Sequence, residues 1–116
     1  MEKEFIPYEQ ALALKELGFR EHCAAFYSTE EELCFKWESN GNMSLHLLRL
    51  IQAPTFSQAF RWFREEYGLP SWNYESEGKW FWKIVKGDFW EQDRKPYTYE
   101  EAEIECLKKL IEIVKK

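Results

Sequence analysis

Two hydrophobic periods alternate along this chain, and a sequence built that way has few ways to fold. Three blocks repeat apolar residues at the three-and-four spacing of a helix, whereas the stretches between them repeat apolar residues at every second position, as strands do. Consecutive strands joined by short turns pair antiparallel. The expected class is therefore α+β, with helices laid against an antiparallel sheet.

The first helical block follows Pro7, a favourable first-turn residue, and ends at Gly18. Ala11, Leu14 and Leu17 recur every third residue, with Leu12 widening the apolar surface. In the second block Thr55 and Gln58 have capping-box spacing, Phe56, Ala59, Phe60, Phe63 and Tyr67 share one face, and Gly68-Leu69-Pro70 ends the run. Trp62 falls on the flank of that stripe, as a core edge or an exposed platform. The third block opens on a second capping box, Thr98 with Glu101, and places acids at its start and lysines toward its end, matching the helix dipole. Its stripe of Ala102, Cys106, Leu107, Leu110, Ile111, Ile113 and Val114 is broad enough to cover a sheet.

Between the first two blocks, His22 to Ser28 and Leu33 to Glu38 read as a hairpin across the polar Thr29-Glu30-Glu31-Glu32, with Leu33, Phe35 and Trp37 alternating. Asn40-Gly41 offers a tight turn. Residues 42–53 are compatible with a short helix, a strand or an apolar loop. After the second block, Trp72 to Glu75 and Lys79 to Lys86 read as two strands joined by Ser76-Glu77-Gly78. Alternation puts Trp80, Trp82 and Ile84 on one side and Phe81, Lys83 and Val85 on the other, one toward the core and one partly wet. Gly87-Asp88 ends this run, and a polar stretch closes at Pro96. The order α-β-β-α-β-β-α predicts one domain over residues 1–116, an antiparallel sheet of about four strands with three helices mainly on one face. Pro7, Gln10-Ala11 and Gly18 echo Pro54, Gln58-Ala59 and Gly68, the pattern an αββ duplication would leave.

Chemistry is harder to find than structure. The chain has no nucleophile elbow, zinc-protease helix, Walker loop or glycine-rich phosphate cradle, so no catalytic residue is nominated and an enzyme is not expected. Its three cysteines, Cys23, Cys34 and Cys106, lack the spacing of zinc ligands, so neither a metal nor another cofactor is expected. A net charge of -5 gives no global attraction to nucleic acid or to an anionic membrane. No apolar run reaches membrane-spanning length, and Met1-Glu2-Lys3-Glu4 lacks a basic start, so a cytoplasmic setting is expected. What stands out is six Trp, six Tyr and nine Phe in 116 residues, a load suited to a dense core, a recognition surface, or both.

The three helical blocks, Ile6 to Phe19, Ala53 to Glu65 and Thr98 to Ile111, resemble a family of small uncharacterised proteins of tailed bacteriophages and prophages, many from Bacteroidetes hosts. That resemblance spans nearly the whole chain and implies a phage context, hence the host cytoplasm, without implying an activity. Relatives tend to read Glu-Pro-Cys after the first block, where this chain has Arg20-Glu21-His22-Cys23-Ala24. The expected role is that of a non-enzymatic accessory protein that binds a host or phage protein through aromatic residues, or pairs with a second copy of itself. The alternative is capture of a small ligand, a nucleotide or single-stranded nucleic acid on a Trp/Tyr-lined pocket or platform. Trp62, Trp72, Tyr74, Trp80, Trp82, Lys83 and Trp90 are the candidate binding residues under either reading.

Overall fold

The computed structural model describes residues 2–35, 51–92 and 97–115. The expectations for Trp37, the Asn40-Gly41 turn, residues 42–50 and the 93–96 stretch lie outside those residues. The chain divides into two compact units, Met1–Thr55 and Phe56–Lys116.

In the first unit a single 3-10 turn, Glu2–Glu4, precedes α1, Tyr8–Glu16. Helix α1 starts after Pro7 and buries Ala11 and Leu14. It ends as anticipated at Gly18, whose φ of 101° is in the left-handed region that glycine adopts without a Cβ penalty. The Phe19 and Gly18 amides donate back to the carbonyls of Leu14 and Lys15, closing the last turn. The expected hairpin forms as β1, Ala25–Tyr27, paired antiparallel with β2, Leu33–Phe35. At its tip the Ser28 hydroxyl accepts from the amides of Glu30 and Glu32, and the glutamates are exposed. A third strand, β3, Ile51–Ala53, pairs with β1 on its other side, so β1 is central and fully buried. Helix α1 packs on β3. The Tyr27 hydroxyl donates to the Ile6 carbonyl at 2.6 Å, and the Ile6 amide donates to the Pro54 carbonyl at 3.0 Å, tying the N-terminal segment to the sheet.

The second unit starts with α2, Phe56–Tyr67, which buries Phe56, Ala59, Trp62 and Phe63. Three strands follow as an antiparallel meander: β4, Ser71–Ser76; β5, Lys79–Lys86; and β6, Phe89–Gln92. Glu77 and Gly78, with φ of 54° and 79°, make the two-residue turn between β4 and β5, and positive φ at both positions suits the right-handed twist of a hairpin. Helix α3, Tyr99–Lys115, lies on β5 and carries α2 against it. Its capping box is formed: the Glu101 amide donates to Thr98 Oγ1 at 3.2 Å, and the Thr98 amide donates to Glu101 Oε1 at 2.9 Å. Ala102, Cys106, Leu107, Leu110 and Ile111 are buried along one side. Each fully enclosed Leu or Ile there contributes roughly 1.5–3 kcal/mol.

The α+β class is as the sequence predicts, but the sheet content differs. Instead of one sheet of about four strands, the described residues form six strands in two three-stranded sheets. The additional strands, β3 and β6, are three and four residues long, too short to show a period. Each unit reads helix and then three strands, yet β1 is central in one sheet and β5, the middle strand of a meander, is central in the other. The echo in element order is therefore not an echo in strand pairing.

Replacing Thr98 with Ala removes one half of the α3 capping box. Thermal denaturation followed by circular dichroism should show a loss of about 1 kcal/mol, a shift of a few degrees in Tm.

Candidate functional site

The β4–β6 sheet has two faces of opposite character, and strand register decides which residue joins which face. Ser71 pairs with Ile84, Asn73 with Trp82, and Glu75 with Trp80. These side chains face α3. Trp80 meets the Tyr99 ring edge-on at 4.8 Å, Ile84 is fully buried, and Trp82 is 4% exposed. The Trp82 indole N–H has no hydrogen-bond partner among the described residues, so the ring serves as core volume.

The outer face holds the complementary set. Trp72 pairs with Lys83, Tyr74 with Phe81, and Ser76 with Lys79 across β4 and β5. On the other side of β5, Val85 pairs with Trp90 and Lys83 with Gln92. The Tyr74 and Phe81 rings stack at 5.6 Å with 24° between planes. Lys83 places its ammonium 5.6 Å from the centre of the Trp90 ring, a cation–π contact of about 0.5–1 kcal/mol at an exposed site. Trp72 is 47% exposed and Trp90 is 58% exposed, on the two edge strands. None of the residues that the register places on this face is acidic, although the chain carries 21 Asp and Glu.

The candidate residues are therefore divided. Trp72, Tyr74, Lys83 and Trp90 come together on the outer face. Trp80 and Trp82 lie on the opposite, helix-facing side, because adjacent side chains of a strand alternate. Trp62 is not a platform: it is 6% exposed, wedged edge-on against Phe63 at 5.1 Å and Tyr67 at 5.4 Å in α2. The candidate set omits Phe81 and Val85, which the same alternation assigns to the outer face. Arg61 is exposed on α2 and pairs with Glu65 at 3.5 Å, away from this face.

A second concavity, about 310 Å³, lies where α3 passes β6, and Trp82, Glu91, Glu105, Lys108 and Lys109 are among its lining residues. Both of its lysines are already paired with glutamates. Lys109 Nζ sits 3.4 Å from Glu91 and 3.3 Å from Glu112, and Lys108 lies 3.6 Å from Glu105. Burial alone would lower the Lys109 pKa, but Glu112 and Glu91 outweigh it and hold the ammonium above its ordinary value. Two lysines against three glutamates leave the lining with a slight negative excess, which does not favour an anionic ligand.

Burial is the largest cause of a raised pKa at three groups on α3, Cys106, Glu103 and Tyr99. Burial pushes the Cys106 thiol up to about 12; the neighbouring Ser71 hydroxyl acts in the other direction and the nearby Glu103 charge adds to the rise. Burial also raises Glu103, which Tyr99 partly offsets by hydrogen bonding, with Glu100 adding to the rise. Tyr99 is raised by burial, then by Glu103 and Glu100. A neutral, enclosed thiol is not a nucleophile. Among the described residues no group of three His, Cys, Asp or Glu side chains is arranged to hold a metal, and no helix is long and apolar enough to cross a membrane.

No protein-family model matches the chain, and no curated protein or solved structure matches it.

Two measurements follow from this chemistry. A maleimide reagent at pH 8 should modify half-exposed Cys34 readily while Cys23 and Cys106 stay protected until the chain unfolds; labelling of Cys106 at the rate of Cys34 would contradict the burial. Because folding raises the Glu103 pKa, this carboxyl favours the fold below its ordinary titration range and the benefit is lost as pH rises through the raised value. Glu103→Gln should therefore melt slightly higher than wild type at pH 7, by less than about 1 kcal/mol for a half-exposed group, and the difference should vanish on acidification below about pH 4.

Proposed function

We propose that this chain is a binding module without reaction chemistry of its own, and that the outer face of β4–β6 is the surface that engages its partner. One observation carries the reading. Two tryptophans stand about half exposed on either side of a central lysine, on a sheet face where the described strand register places no carboxylate, in an acidic chain. Large exposed rings are costly to leave in water and are the residues that dominate recognition surfaces. A core needs no such arrangement, since α3 already covers the other face of the same sheet. Strands also suit the role, because the ladder to central β5 holds each ring at a set position.

Removing the rings separates a binding role from a structural one. Trp72→Ala with Trp90→Ala should change stability by less than about 1 kcal/mol, because both side chains are exposed. The same double substitution should abolish most of the material, protein or nucleic acid, that the immobilised wild-type chain retains from lysate of the cell that makes it. Equal retention by the folded double variant would refute the assignment of this face.

A further inference from the structure

We infer that the occupant of the outer face is single-stranded nucleic acid, with bases stacking on Trp72 and Trp90 and a phosphate held by Lys83. The inference rests on the binding role proposed for this face and names its partner. Its first support is charge. Lys79 and Lys83 supply cations where the register supplies no anion, so the local potential opposes that of the whole chain. At about 0.1 M salt charges are screened beyond roughly 10 Å, and the local lysines then decide what approaches the face. An anionic partner is selected despite the net charge of -5.

The second support is the kind of contact the face can make. On the face of a sheet the backbone groups are committed to the ladder, so recognition falls to side chains. Peptides are recognised chiefly by strand addition at a sheet edge, by grooves, or by clustered arginines; the face itself, as distinct from the edges of β4 and β6, offers none of these. It offers flat rings. Every base has a π-face, and stacking on aromatic side chains beside a cationic track is how single strands are held without sequence readout. Trp72 lies directly opposite Lys83, and Trp90 has one ring face toward the Lys83 ammonium, which leaves its other face for a base. With strands about 4.8 Å apart and about 3.4 Å per residue, the two edge-strand tryptophans stand roughly 10 Å apart across the sheet and roughly 7 Å apart along it, room for a short unstacked stretch between them. A second copy fits less well, because a two-fold pairing would bring two cationic faces together with no acidic residue that the register places there to meet the lysines.

Anisotropy of a fluorescein-labelled oligothymidylate or oligouridylate of about twelve residues, titrated with the intact chain at low salt, tests the assignment. Saturable binding is expected. Trp72→Ala and Trp90→Ala should each weaken it at least about fivefold, the lower end of what one stacked base contributes. Lys83→Gln should weaken it and reduce the slope of log affinity against log salt by about 0.7. Preference for the single strand over a duplex of the same composition, and over polyglutamate, completes the supporting result. Absence of saturable binding up to about 1 mM, equal binding of polyglutamate, or oligonucleotide binding indifferent to both tryptophans overturns the inference. If oligonucleotides fail while the double tryptophan variant still loses its retained protein from lysate, the nucleic-acid assignment falls and the face remains a binding surface.

Discussion

The seating of α3 on the even-numbered side chains of β5 is the constraint from which the rest of the second unit follows. Trp82 and Ile84 can be enclosed only by pointing at the helix, and the pleat then sends Phe81, Lys83 and Val85 the other way. A slip of one residue would reverse every side chain, burying Lys83 and exposing Ile84. Register is thus pinned by burial, and an outward-facing set of rings is a necessary consequence of a well-filled interior.

The same constraint explains why this chain carries so many aromatic residues without being uniformly sticky. Trp62 and Trp82 fill volume, and Trp80 seals the edge of the core against Tyr99. The rings on the outer face are organised differently. Tyr74 and Phe81 stack on one another, while Trp72 and Trp90 stand apart on the edge strands with a lysine between them. Two uses of one residue type are separated by the alternation of a single strand.

Electrostatics divides along similar lines. Some of the carboxylates that make the chain acidic lie in the hairpin tip Glu30–Glu32 and along α3, where Glu105 and Glu112 pair with lysines. Those pairs are worth little individually, since surface ion pairs contribute about 0–1 kcal/mol. They occupy the lysines of the cleft beside α3, whereas on the outer sheet face the register sets Lys79 and Lys83 among rings with no acidic residue.

Much of this was legible in the sequence because its causes are local. The ends of α1 and α3 follow from Gly18 and from the Thr98–Glu101 box, both of which act within one helical turn. The two sides of β5 follow from period two alone. What the sequence could not settle depends on distant neighbours. Whether Trp62 sits inside or outside depends on α2 being pressed against α3, and β3 and β6 become strands only because β1 and β5 present free edges for them to pair with. Which face of the second sheet is wet was likewise open, since Trp80 and Trp82 are as suited to a platform as Trp72 and Trp90. The helix that covers one face decides it, because burial is a property of what packs on a residue and not of the residue itself.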